Sequence, residues 1–234
     1  LLRSSNIMLA LKLGLSLMSS NNPGGWSPTD EAGLEAWYQN KKGVSVVPTV
    51  SEWLDSSPNG VDMVQATVSE QPGYEASSGA LIFVAANKNN LQSSSQISLT
   101  GDFTVGLRIN PGISTAGTFL ADNTTSGELF KYQTSSRITV KIDGSASTSL
   151  DLDSGTFGDD YLVITRTSNI LKLYQNGVLQ TGTTPYLEGT ADIDTIGVRA
   201  TDLNAYTGRI KEIQIYSSSS AALVANINNR LSTL

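Results

Sequence analysis

The chain has 234 residues, 39% of them hydrophobic and 15% charged, which is long enough to bury a core without cross-links or metals. Fifteen Lys and Arg against 21 Asp and Glu leave a formal net charge of -6, a balance that argues against a nucleic-acid partner. With no cysteine and no histidine, disulfides, thiolate nucleophiles, Ser-His-Asp triads and Cys- or His-ligated metals are excluded, so any catalysis would have to run on carboxylates.

Residues 1–26 read as an N-terminal arm and linker. Within it Leu9, Leu11, Leu13, Leu15 and Leu17 alternate with Ala10, Lys12, Gly14 and Ser16. This period-two pattern predicts a strand over 9–17, about 30 Å long at ~3.3 Å per residue, with all five leucines on one face. The interrupting Lys, Gly and Ser make it a poor export signal, and it has about half of the ~20 apolar residues that a membrane span needs. No membrane insertion is expected. An uncovered leucine face is an aggregation hazard, so the arm is expected to dock on a neighbouring protein or on another copy of the chain. Asn21-Asn22-Pro23-Gly24-Gly25 breaks the arm, and Trp26 beside it joins the leucines as a candidate assembly contact.

From 27 to 234 the pattern is that of one domain. Ser27 or Thr29 ahead of Asp30-Glu31 can cap a single helical turn, and 34–38 fits a strand. Strand-length apolar segments bounded by Gly, Pro, Asn or Asp follow at 50–54, 62–67, 80–84, 96–99, 103–109, 118–121, 129–133, 137–143, 161–166, 170–175, 178–181, 191–198 and 209–216. Asn176-Gly177 accepts the positive φ angles of a two-residue type I′ turn and predicts a hairpin. A single helix is expected over about 219–232, where Ser217 to Ser220 offer capping hydroxyls and Leu223, Ile227 and Leu231, with Val224, form an apolar stripe. About a dozen strands and one terminal helix point to an all-β sandwich.

Several segments, in order, resemble a known pattern. They are Trp53-Leu54-Asp55-Ser56-Ser57, Leu81-Ile82-Phe83, Gly101-Asp102-Phe103-Thr104-Val105, Tyr161 to Arg166, Leu173-Tyr174-Gln175-Asn176-Gly177 and Tyr206 to Tyr216. Their succession, over roughly 34–234, resembles the laminin-G-like or concanavalin A-like jelly roll. That resemblance implies two antiparallel sheets of about six or seven strands each. It implies no particular activity, because the fold hosts lectins, glucanases, adhesion modules and viral structural proteins. The jelly roll together with the leucine arm and the Pro-Gly-Gly-Trp linker also looks like virion structural proteins of tailed bacteriophages, particularly those of marine cyanobacteria.

Glucanases of this fold carry E-x-D-x-E-type strings, since period-two spacing aims alternate carboxylates into one cleft. No such string is present; Asp151-Leu152-Asp153 and Asp192-Ile193-Asp194 are the nearest, each setting two carboxylates about 7 Å apart on one strand. Their positions beside turn residues favour solvated aspartates at strand ends. No phosphate-binding loop or Gly-x-Ser-x-Gly elbow occurs. No cofactor is expected. Calcium is the one metal that the resemblance admits, with Asp102, Asp122 and Asp143 as candidate ligands, although turn chemistry alone also places Asp there. Trp37 and Trp53 lie in strand patterns and are expected in the core. The resulting expectation is a non-enzymatic virion protein, a capsid decoration or a tail or fibre component, with its jelly roll outward and some adhesion to host-surface glycans. The alternative is a secreted or surface carbohydrate-binding module.

Overall fold

The computed structural model describes residues 25–112, 116–124, 129–142, 146–182, 184–200 and 204–234. The strand expected over 9–17, with Leu9, Leu11, Leu13, Leu15 and Leu17, lies outside these residues, as does Asp143.

The described residues form strands β1 (Leu34–Tyr38), β2 (Val44–Val46), β3 (Val50–Trp53), β4 (Met63–Val64), β5 (Gly73–Glu75), β6 (Ala80–Phe83), β7 (Leu91–Leu99), β8 (Phe103–Asn110) and β9 (Gly117–Ala121). They continue with β10 (Leu129–Thr134), β11 (Arg137–Lys141), β12 (Thr148–Asp151), β13 (Asp160–Thr167), β14 (Ile170–Gln175), β15 (Val178–Gln180), β16 (Ala191–Ile196) and β17 (Gly208–Tyr216), and end in helix α1 (Ala221–Leu231). Two antiparallel sheets result. One has eight strands in the order β15-β14-β13-β8-β17-β6-β5, with β1 also paired to β17; the other has nine, in the order β12-β11-β10-β9-β16-β7-β4-β3-β2.

Alternation builds the sandwich. Phe103, Val105, Leu107 and Ile109 of β8 point one way and meet Ile97, Leu99, Phe119, Phe130, Ile138 and Ile193 of the other sheet in one buried core. Aromatic rings knit its centre: Phe103 meets Phe130 edge-on at 6.1 Å, and Tyr132 lies 4.8 Å from Phe157. A second, smaller cluster covers the outer face of the eight-stranded sheet, where Leu223, Val224, Ile227 and Leu231 of α1 pack on Leu34, Trp37, Val163 and Tyr216. Ser220 Oγ caps the helix by accepting the Leu223 N–H at 3.0 Å. Close approach of α1 requires Gly106, since a Cβ there would sit 2.5 Å from Ile227 Cγ2.

The Asn176-Gly177 turn forms as expected, with φ of 51° and 80° between Gln175 and its partner Val178. Ser27 and Asp30 close the expected single turn, the Ser27 N–H donating to Asp30 Oδ2 at 2.9 Å. The sheets are wider than the six or seven strands expected. The added strands β2, β5 and β12 are short edge pieces of three or four residues that carry too little apolar alternation to read. Strand β7 starts at Leu91 rather than 96, because Ser93-Ser94-Ser95 hides a strand whose polar residues face away from the core. The segment 62–67 shrinks to Met63–Val64: beyond it Gln71 Nε2 donates to Gln65 O at 2.7 Å and the Thr67 N–H donates to Gln65 Oε1 at 2.9 Å.

Candidate functional site

Most of the polar residues in the sequence motifs hold the fold. Asp55 of the Trp-Leu-Asp-Ser-Ser segment accepts the N–H groups of Trp37 and Ser57 at 2.8 Å and of Val61 at 3.0 Å, so it organises the turn after β3. Arg166 is fully buried and donates to the carbonyls of Leu99, Gly101 and Gly189. Glu212, also fully buried, accepts from Trp37 Nε1, the Asn40 N–H, Gln214 Nε2 and both Nε and Nη2 of Arg230. A carboxylate with five donors has no lone pair left for chemistry; its role is to tie α1 to β1 and β17.

The two Asp-x-Asp pairs are structural as well. Asp151 receives Arg137 bidentately, at 2.6 and 3.0 Å, and Asp153 receives the N–H groups of Thr181 and Gly182. Asp192 accepts from Ser98 Oγ at 2.5 Å, and Asp194 accepts the Asn123 N–H at 2.7 Å and Thr195 Oγ1 at 2.8 Å. Contrary to the expectation of solvated strand ends, Asp192 and Asp194 lie inside β16 and Asp194 is buried. Burial raises the pKa of Asp194 above the ordinary 3.8, against the lowering effect of its hydrogen bonds. Because the folded state then holds this proton to higher pH than the unfolded one, its contribution to stability is present below the ordinary carboxylate value and is lost as pH rises through the raised one. Asp194→Asn keeps the Oδ1 acceptor and removes that loss. Urea unfolding at pH 4 and pH 7 is expected to show the variant gaining on the parent chain at the higher pH; an unchanged gap contradicts this.

Of the calcium candidates, Asp102 accepts the Ser168 N–H at 2.7 Å, and Asp122 accepts the N–H and Oγ1 of Thr124 at 2.6 and 2.7 Å. Asp122 thereby closes a local turn, while Asp102 ties the turn before β8 to the one after β13. Among the described residues no three His, Cys, Asp or Glu side chains form a group that could hold a metal ion. Trp53 is fully buried, and Trp37 is buried beneath α1. Trp26 packs on the same α1 cluster, its indole N–H donating to Glu31 Oε1 at 2.9 Å.

One concavity is chemically distinctive. It encloses about 230 Å³ on the outer face of the eight-stranded sheet and is lined by Arg108, Arg209 and Lys211, with Glu75, Asp159 and Asn110 at its sides. Residue alternation aims Arg108 outward between the core residues Leu107 and Ile109, two positions from Gly106 and on the same face as α1. Arg209 and Lys211 flank the core residue Ile210 in the same way. Registers then bring the three cations together: β17 lies beside β8, with Arg209 opposite Asn110 and Glu212 opposite Arg108. On the other side Tyr161 pairs with Arg108, whose guanidinium lies 5.9 Å from the Tyr161 ring.

The pocket is electrostatically unbalanced. Asp159 takes Arg108 Nη2 at 2.9 Å and sits 3.9 Å from Lys211 Nζ, while Glu75 is 3.8 Å from Arg209 Nε. Three cations face two carboxylates, a formal +1 in a chain of net charge -6. Asn40 Nδ2 donates to Ser78 O and Lys211 O, fixing the loop that forms one wall. The sequence reading missed these residues. Their signal was three cations at outward positions of apolar strands, but only the pairing of β8 with β17, a hundred residues apart, shows that they converge.

No curated protein matches the sequence. Among solved structures, Trypanosoma rangeli sialidase in complex with 2,3-difluorosialic acid superposes with a TM-score of 0.55 at 12% identity, over 87% of this chain and 33% of the sialidase. The chain thus spans about a third of the sialidase's length. Domain 4 of AbnA, a GH43 extracellular arabinanase from Geobacillus stearothermophilus, in complex with arabinotriose, superposes with a TM-score of 0.52 at 17% identity, over 85% of this chain and 98% of that domain. These likenesses show the shared fold. No helix among the described residues is long and apolar enough to cross a membrane. Residues 84–223, from the end of β6 into α1, match the profile of the concanavalin A-like lectin/glucanases superfamily, and the chain belongs to that family.

Proposed function

We propose that the chain is a non-catalytic saccharide-binding module acting outside cells or at a surface, and that the Arg108–Arg209–Lys211 pocket holds one sugar ring. The observation that carries this reading is the pocket itself: charged donors and acceptors on a sheet floor, with Arg108 backed by the Tyr161 ring, which packs against the α1 cluster. The hydroxyls of a pyranose both donate and accept, for which closely set charged donors and carboxylate acceptors are the complement. At about 230 Å³ the pocket is smaller than the ~300–1,000 Å³ of drug-sized ligands, which suits a single ring at the end of a glycan. Support also comes from the family and from the arabinotriose complex of the arabinanase domain. The absence of catalysis is supported by the carboxylates that spacing singles out, all four of which hold structural hydrogen bonds or ion pairs. Isothermal titration of the chain against a panel of oligosaccharides tests the reading. Binding is expected, and Arg108→Gln is expected to weaken it about tenfold or more through loss of a charged hydrogen-bonding group. A panel without a single ligand refutes the proposal.

A finer reading, a virion component that displays this module, is supported by the sequence alone, through the alternating leucines of 9–17. Trp26 itself packs beside α1. Deleting residues 1–20 is expected to leave a soluble, folded jelly roll that no longer assembles with copies of itself or with other virion proteins. Light scattering after size exclusion reads the self-association, and unchanged assembly after the deletion contradicts the role of the arm.

A further inference from the structure

We infer that the pocket selects saccharides carrying a carboxylate or a sulfate, an inference that rests on reading the pocket as the sugar site. Its two guanidinium groups are under-satisfied by the protein, while Lys211 Nζ donates to Leu234 O at 3.4 Å, a long bond. Arg108 Nε is buried and meets no hydrogen-bond acceptor. Glu75 at 3.8 Å from Arg209 and Asp159 at 3.9 Å from Lys211 are within ion-pair range but beyond hydrogen-bonding distance. Two guanidinium groups and an ammonium carry many N–H donors, and a neutral sugar brings only hydroxyls to them. An anionic group makes charge-assisted bonds, about twice as strong as neutral ones, and two of its oxygens match a guanidinium fork.

Asp159 marks where such a group sits. Its carboxylate already takes Arg108 Nη2 at 2.9 Å, yet its side chain is 49% exposed and lies just outside β13, so it occupies the anion position without being locked there. An incoming carboxylate or sulfate takes over that position, with Arg108 as the fork, and Arg209 and Lys211 supplying the remaining charge. The net charge of -6 on the chain keeps extended polyanions at a distance, which leaves a locally cationic socket for one acidic sugar unit.

The test is a matched titration of the intact chain. Sialyllactose is compared with lactose, trigalacturonate with its methyl ester, and a 6-sulfated galactoside with the plain galactoside, with inorganic sulfate run alone. Each acidic ligand of the bound class is expected to bind about tenfold or more tightly than its neutral twin, and the difference is expected to shrink as NaCl rises from about 0.05 to 0.5 M. Arg209→Gln, at a half-exposed position that leaves the fold intact, is expected to remove most of the preference, and Asp159→Asn is expected to tighten acidic ligands several-fold by removing the competing carboxylate. Which acidic arm responds separates carboxylate from sulfate recognition. Equal binding of acidic and neutral twins, still weakened by Arg108→Gln, overturns the acidic preference and leaves the sugar site standing. Inorganic sulfate binding as tightly as the glycans overturns saccharide recognition, and silence in every arm overturns both readings.

Discussion

Replacing Glu212 with alanine is expected to lower the unfolding free energy of the domain by about 3–5 kcal/mol, the range for removing one partner of a buried ion pair. The carboxylate is fully buried and bonded to Trp37, Asn40, Gln214 and Arg230, so its loss strands donors from three separate elements at once. Arg230 also stacks on Trp37, its guanidinium 4.7 Å from the ring, which makes the pair the clasp between α1 and the eight-stranded sheet. Glu212→Gln tests charge separately, because an amide turns one accepting oxygen into a donor facing other donors. The double variant with Arg230→Met is expected to lose less than the two single losses added together. Urea unfolding followed by tryptophan fluorescence measures each variant, and a loss below about 1 kcal/mol in Glu212→Ala contradicts the assignment.

Arg166→Met is the second large effect. The guanidinium is fully buried, lies 4.8 Å from the Phe103 ring, and bridges Leu99 and Gly101 before β8 to Gly189 before β16. Methionine fills much of the volume but leaves three carbonyls with one partner fewer, at roughly 1–3 kcal/mol for each group left unsatisfied in the interior. A loss of about 3 kcal/mol or more is expected. Arg166→Lys restores little, since a single ammonium cannot reach all three carbonyls, at the end of β7, in the turn after it and ahead of its neighbour β16, as the guanidinium fork does. Native-state hydrogen exchange is expected to speed up around residues 99–103 and 187–191 in particular. Exchange that stays at the parent rate there contradicts the bridging role.

How much was legible follows from where the information lies. Strands whose inner face is strongly apolar, such as Phe103–Asn110 with Phe103, Val105, Leu107 and Ile109, can be read because their alternation is local. The hairpin at Asn176-Gly177 and the capped stripe of α1 are local in the same sense. Strand β7 is the counterexample: much of its first half presents serines to solvent, and its pairing with β16 and β4 makes it a strand. The motif acids and bases stand out in the sequence, yet their spacing does not reveal that Arg166 and Glu212 are buried anchors and Asp55 a half-buried one. The pocket was least legible of all. Nothing local links Arg108 to Arg209 and Lys211, and their convergence depends on the β8–β17 register.

Amide chemical-shift mapping of the isotopically labelled chain during titration with an oligosaccharide that it binds places the ligand directly. Shifts are expected at Arg108, Asn110, Tyr161, Arg209 and Lys211, on the outer face of the eight-stranded sheet. Shifts confined to the opposite sheet, around Lys131, Thr139 and Asp192, would show that the sugar site lies elsewhere on the jelly roll.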